Sequence, residues 1–251
     1  MRNLLVRLIG FPATVLHGDP CVFDRWVWIR RRLRPGPLRT LDAGCGSGVF
    51  TLYAVKIGNE AVGLSFDARN NAVAGDRARL LGLARARFVQ ADLRELDQLS
   101  PRLGQFDQIL RVETIEHLLN DRKLLADLAR LLKPRGRFLL TTPYKHYRRL
   151  LGDRLFASER EGGHVRWGYT HEEMRRLFAE CGLEVVEESF VSGWVSQQLT
   201  NGMRLLSRVH PLLAWGAILP LRPLQVLDEP VTRLLSYPYL CIGVVGVKKS
   251  L

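Results

Sequence analysis

Three glycines at alternate positions, in Asp42-Ala43-Gly44-Cys45-Gly46-Ser47-Gly48, separate a strand-like run, Leu38 to Asp42, from a helix-like run, Val49 to Ile57. Glycine lets a backbone turn sharply and lets a ligand come close. The helix that follows presents free N–H groups and the positive end of its dipole, which suits an anion. The spacing departs from the G-x-G-x-x-G of dinucleotide folds, because the third glycine comes one position early and Val49 stands in its place. A G-x-x-x-x-G-K-[ST] run is also absent, which excludes a P-loop. Taken alone, the segment is either a ligand cradle or a tight turn with no ligand.

The first two thirds of the chain alternate between strand and helix patterns, as a parallel sheet flanked by helices requires. Ala61 to Phe66, Ala86 to Ala91, Phe106 to Leu110 and Arg137 to Thr141 continue the strands. Ala68 to Leu81, closed by Gly82, and the amphipathic Leu118 to Leu132, stopped by Lys133-Pro134-Arg135-Gly136, are helices. Later, Thr170 with Glu173 three residues on predicts a capping box for a helix over His171 to Cys181. Leu183 to Phe190 alternates with period two, and Tyr239 to Val247 reads as a buried strand. Between them Trp194 to Pro238 is apolar, punctuated by proline and helical in pattern. The expected organisation is a helical cap over 1–37, an α/β core over 38–190, a helical insertion or lid on the acceptor side over 191–238, and a last core strand and tail over 239–251.

Hydrophobic residues make up 47% of the 251 and charged residues 25%, which excludes a disordered chain. A net charge of +12 invites a polyanion partner, yet 31 of the 37 basic residues are arginines spread along the chain. A general arginine bias accounts for this better than a nucleic-acid site. Four cysteines without CxxC or metal-ligand spacing predict a reduced cytoplasmic protein with no metal. Arg7 interrupts the N-terminal apolar run before a signal-peptide core forms, and Val209 to Leu221 is too short to span a bilayer. A soluble protein is expected, with peripheral contact at the inner membrane face as a further expectation.

Several motifs in order resemble the class I S-adenosylmethionine-dependent methyltransferases, in the branch of ubiquinone- and glycan-type small-molecule O-methyltransferases. The resemblance covers roughly residues 38 to 190. It rests on Leu41 to Gly48, Phe88-Val89-Gln90-Ala91-Asp92, Phe106 to Ile109 followed by Val112-Glu113-Thr114-Ile115-Glu116-His117-Leu118, and Leu131 to Pro143. It implies a Rossmann-like seven-stranded sheet with helices on both faces and a helical insertion before the last strand. It also implies S-adenosylmethionine as cofactor, S-adenosylhomocysteine as product, and cofactor contacts at Asp42, Ala43, Gly44, Cys45, Gly46, Gly48, Asp92, Leu93 and Arg111. The family places an acid for the ribose hydroxyls at the end of the second strand. Ser65 occupies that position here, with Phe66 beside it and Asp67 two residues on as a substitute. Asp92 is matched to the adenine amino group, and a helix cap is its other reading.

Methyl transfer to oxygen needs an aligned acceptor and a base for its proton. His117, matched to a histidine near the active site of relatives, is the first candidate base; a backbone-bonded helix-start histidine is the alternative. Tyr144, in the loop after the fifth strand, and His164, in the glycine-flanked loop Gly162 to Tyr169 with Arg166, also open at the carboxyl edge of the sheet. Trp26 and Trp28 are assigned to packing. The expected function is methylation of oxygen on a small-molecule, sugar or lipid-linked acceptor. An RNA methyltransferase and a non-catalytic cofactor-binding regulator are the competing readings.

Overall fold

The computed structural model describes residues 3–149, 155–158 and 163–250. The strands β1 (Arg39–Ala43), β2 (Glu60–Ser65), β3 (Ala86–Gln90), β4 (Phe106–Val112), β5 (Leu132–Pro143), β6 (Leu183–Val191) and β7 (Cys241–Lys248) form one sheet, ordered 3-2-1-4-5-7-6. Only β7 runs antiparallel to its neighbours, β5 and β6. The inner strands are covered on both faces and are therefore buried almost throughout, whereas the edge strand β6 alternates between buried and exposed residues. Neighbouring residues on one strand serve opposite layers: Ile109 and Phe138 pack in one cluster, Leu110 and Leu139 in the other. The chain reverses its direction of progress across the sheet between β1 and β4. In open α/β sheets the ligand crevice lies outside the carboxyl ends of the strands at such a point.

The helices α4 (Val49–Lys56), α5 (Ala68–Leu80), α6 (Leu96–Leu103), α7 (Asp121–Leu131) and α8 (His171–Glu180) cover the sheet. The capping box on α8 forms as its sequence predicts, with Thr170 and Glu173 each accepting from the other's backbone N–H. Two boundaries differ. The helix expected from Leu118 begins at Asp121 instead, capped by Asn120, because residues 115–117 close a tight 3-10 turn first. Lys133 to Gly136 lie within β5 rather than ahead of it. Leu132 pairs with Phe106 and Arg137 with Gln108, so the intervening residues bulge from the ladder.

Before the core come α1 (Leu4–Ile9), α2 (Pro12–Leu16) and α3 (Pro20–Arg30); between β6 and β7 come α9 (Trp194–Ser207), α10 (Pro211–Ile218), a 3-10 stretch over Leu219–Leu227, and α11 (Asp228–Leu234). These two sets pack on each other. Gln225 Nε2 donates to the Pro20 carbonyl at 3.0 Å and to Asp24 Oδ1 at 2.9 Å, and Trp215 Nε1 donates to the Leu16 carbonyl at 3.3 Å. The insertion is clasped at its base: Asp228 accepts from the backbone N–H of Gly193 and Ser196, and Thr232 Oγ1 accepts from that of Trp194. Trp28 anchors α3 to the sheet, donating to Ser189 Oγ at 2.7 Å with its ring lying over Gly243.

A methyl group at Gly243 would come within 2.5 Å of the Trp28 ring, while one at Gly75, inside α5, would meet nothing within 4 Å. Gly243→Ala is therefore expected to destabilise by about 1–3 kcal/mol. Gly75→Ala is expected to stabilise by about 0.5–1 kcal/mol through helix propensity. Urea unfolding of the two variants checks both signs.

Candidate active site

The glycine loop crosses the crevice at the end of β1. Gly44, Gly46 and Gly48 all have positive φ, at 98°, 51° and 85°. They serve different ends. A Cβ at Gly44 would meet Arg111 Nη1 and Thr114 Oγ1 at 2.9 Å, and one at Gly48 would meet Ala74 Cβ at 2.8 Å. Gly46 faces open space, with nothing within 4 Å of its added carbon. The N–H groups of Gly44 and Cys45 both donate to the Leu64 carbonyl, at 2.9 and 2.8 Å, which pins the loop to β2. At Gly48 no side chain caps α4, so the first N–H groups of that helix are left for another partner.

A buried polar floor lies beneath the loop. Asp42 Oδ2 accepts from Thr51 Oγ1 at 2.7 Å, whereas Oδ1 has no partner. Burial pushes the Asp42 carboxyl up to about 6, with the Thr51 hydrogen bonds opposing. Arg111 is fully buried, donates from Nη1 to the Ala43 carbonyl at 2.8 Å, and has its guanidinium pulled down by burial. The Cys45 thiol is likewise pushed up by burial. The structure thus sets Asp42, Ala43 and Arg111 under the loop and Gly46 above it.

At the end of β2, Ser65 is buried and its carbonyl accepts from Asn71 Nδ2 at 3.1 Å and from the Ala91 N–H at 3.0 Å. Phe66 stands 68% exposed. Asp67 caps α5 by accepting from the Arg69 N–H at 2.8 Å, which lowers its pKa. Asp92 caps the short 3-10 turn over Leu93–Glu95 and takes Arg94 Nε at 2.9 Å on both oxygens, which holds its carboxyl low. Leu93 packs on the core beside it. The Arg94 guanidinium also lies 5.8 Å from the Phe66 ring centre, so one arginine, which the motif pattern does not single out, joins the ends of β2 and β3.

Beyond β4 the backbone turns at Glu113 with φ of 47°, then enters the 3-10 turn Ile115–His117. His117 Nδ1 lies 2.9 Å from the Gly163 carbonyl. A carbonyl only accepts, so Nδ1 carries the proton and Nε2 keeps its lone pair. Burial lowers the His117 pKa, and the imidazole is neutral at pH 7. Nε2 lies 4.0 Å from Glu116 Oε1. Glu116 is buried, accepts from Thr142 Oγ1 at 3.3 Å, and is pushed up by burial and then by the charge of Glu113. The His164 ring stands edge-on to His117 at 4.7 Å, although 47 residues separate them in the chain. One donor atom each from Glu116, His117 and His164 lie within 4.8 Å of one another, a grouping that single-motif spacing does not reveal.

The other loop residues separate. Tyr144 packs instead in an aromatic group with Phe190 at 5.2 Å and His146 at 5.3 Å. Arg166 clamps the turn before α7, donating to the carbonyls of Leu118 and Leu119 at 2.7 and 2.8 Å and pairing with Asp121. Gly162 lies outside the described residues. Behind the site, Arg25 on α3 is half-buried. Burial pulls its guanidinium down, but the acidic groups around it, Glu113 foremost, together raise it and couple the N-terminal helices to the end of β4. Glu113 Oε2 accepts from the Cys241 thiol at 3.3 Å, and Oε1 has no partner.

Comparison with known proteins agrees with this geometry. Residues 23–188 match the family model described as a methyltransferase domain. A ubiquinone biosynthesis O-methyltransferase of Ruegeria pomeroyi is 30% identical over 179 residues, covering 68% of this chain and 70% of that protein. An uncharacterized protein of Synechococcus is 39% identical over 138 residues, and there the match spans half of this chain and about a third (32%) of the relative. Among solved structures, a putative sarcosine dimethylglycine methyltransferase from Galdieria sulphuraria superposes with a TM-score of 0.61 at 20% identity, covering 91% of this chain and 85% of that one. A [4+2]-cyclase, SpnF, superposes with a TM-score of 0.62 at 20% identity, covering 91% and 81%. The chain belongs to the methyltransferase-domain family and is a class I S-adenosylmethionine-dependent methyltransferase.

Proposed function

We propose that this chain methylates an oxygen of a small, partly apolar acceptor, of the sugar or lipid-linked kind, with His117 as the base. The observation that carries this reading is the neutral, half-buried His117, whose proton-bearing Nδ1 is held by Gly163 while Nε2 is left to accept. Its turn lies against the glycine loop, because Thr114 is the residue that a side chain at Gly44 would strike. The base and the cofactor cradle are therefore neighbours.

The residues fit S-adenosylmethionine. When bound, this cofactor supplies a methyl group on a positively charged sulfur. The unpartnered Oδ1 of Asp42 suits the cofactor's ammonium, and the uncapped N–H groups at the start of α4 suit its carboxylate. Gly46 leaves room for it. Ser65, or Asp67 released from its cap, serves the ribose. Asp92 serves the adenine amino group once Arg94 gives way, with Phe66 and Leu93 as apolar flanks. His164 orients the acceptor beside His117, while Tyr144 stands in the aromatic group with His146 and Phe190.

For the acceptor, a groove of about 880 Å³ runs between α3, the end of β6 and the insertion. Phe23, Val27, Phe190 and Val226 line it together with Arg31 and Arg222. Apolar walls with arginines and the carboxylates Asp24, Asp228 and Glu229 at hand support an acceptor with an apolar body and a polar head, and they support the role of residues 191–238 as the acceptor-side lid.

Three outcomes are expected. Asp42→Asn weakens S-adenosylmethionine binding by roughly tenfold or more in calorimetry, as loss of a charge-assisted hydrogen bond requires. His117→Gln lowers kcat by about 10²–10⁴ while leaving cofactor affinity unchanged. Because a neutral imidazole is the active form, the rate falls as pH drops through the His117 pKa, and the acid limb lies below the ordinary histidine value of about 6.5. A screen for acceptor-dependent S-adenosylhomocysteine release tests the reading as a whole. Cofactor binding without such release favours the regulatory alternative. Steeply salt-dependent RNA binding favours the RNA methyltransferase. A rate lost on chelation and restored by magnesium assigns Glu116, His117 and His164 to an ion rather than to proton transfer.

A further inference from the structure

The turn from α9 to α10 leaves apolar side chains bare. Leu205 is 53% exposed, Val209 78%, Leu212 64% and Leu213 62%. The sequence of α10, Pro-Leu-Leu-Ala-Trp-Gly-Ala-Ile, is apolar on every side, yet only Ala214 and Ile218 are buried. A helix of that composition belongs in an apolar medium, and here most of it faces outward. The charges beside it have one sign. From Ser189 to Leu227 the chain contains no aspartate or glutamate, while Arg204 and Arg208 flank the turn. Both arginines are exposed, and neither forms an ion pair among the described residues.

We propose that this turn docks the protein on an anionic phospholipid bilayer, with Val209, Leu212 and Leu213 entering the boundary between headgroups and acyl chains and Arg204 and Arg208 on the phosphates. An apolar tip ringed by unpaired cations complements a surface that is apolar within and anionic without. A second copy of this chain fits less well. A two-fold contact through the same turn sets these arginines against their own counterparts, with no acid of the segment to pair them. The mode is docking rather than spanning, since no helix among the described residues is long and apolar enough to cross a membrane. The inference deepens the reading of the acceptor as lipid-linked and rests on it for its meaning in catalysis. The insertion that carries the turn also walls the groove beside α3 through Arg222 to Arg233.

The test is co-sedimentation of the whole chain with vesicles of phosphatidylcholine alone or mixed with phosphatidylglycerol, with cofactor affinity measured in parallel. The expected result is binding to the mixed vesicles about tenfold tighter than to phosphatidylcholine, weakened by salt. The double substitution Leu212→Glu/Leu213→Glu lowers it by about tenfold or more without changing cofactor affinity. Arg204→Gln/Arg208→Gln, which leaves the apolar tip intact, removes only the preference for phosphatidylglycerol and serves if the first variant fails to fold. No binding to mixed vesicles overturns the proposal, as does equal binding by both variants. A dimer in solution that the leucine substitutions dissolve, with vesicle binding untouched, overturns it in favour of a second copy. Vesicle binding that persists without acceptor turnover separates failure of the acceptor reading from failure of the docking surface.

Discussion

The contact between the glycine loop and the end of β4 is the constraint on which the site depends. Arg111, wholly buried, reaches under the loop to hold the Ala43 carbonyl, and Gly44 has no side chain because Arg111 and Thr114 fill that space. Burying a guanidinium is costly unless its donors are used, and here Nη1 is bonded while Nε has no partner. The bond that is made ties the end of β4 to the end of β1. Everything downstream inherits this geometry: the position of the 3-10 turn and that of His117 relative to the glycine loop.

The fold was legible wherever local chemistry and tertiary burial agree. The strands β1, β4 and β7 lie buried in the sheet interior, and the Thr170–Glu173 pair makes its capping box. Legibility failed where a distant partner decides. Leu118 continues a helical pattern, but Arg166 takes its carbonyl and that of Leu119, and α7 starts three residues later. Lys133-Pro134-Arg135-Gly136 contains helix-stopping residues, yet Leu132 finds Phe106 before they arrive and the strand begins early. The helix α6 carries Leu96, Leu99 and Leu103 at helical spacing, but Pro101 inside it reads as a break and hides it.

The candidate site divides in the same way. Its glycines and acids are contiguous and carry their own pattern, so the residues under and over the loop could be named from sequence. Arg94 is different. Nothing in the order of residues says that it holds Asp92 while lying by Phe66, because that arrangement depends on the register of β2 beside β3. The pairing of His117 with His164, and the separation of both from the aromatic group around Tyr144, likewise depend on the path of a long loop. The helices before β1 and those after β6 were expected as two segments, whereas α3 and the insertion share hydrogen bonds through Gln225.

The clasp at the base of the insertion has an evolutionary consequence. Asp228 and Thr232 tie the exit of the segment to its entrance at Gly193 and Trp194, immediately after β6 ends. The stretch between those anchors can thus be lengthened, shortened or exchanged like a cassette while the β6–β7 ladder keeps its registration. Change in this segment has a place to accumulate that spares the sheet.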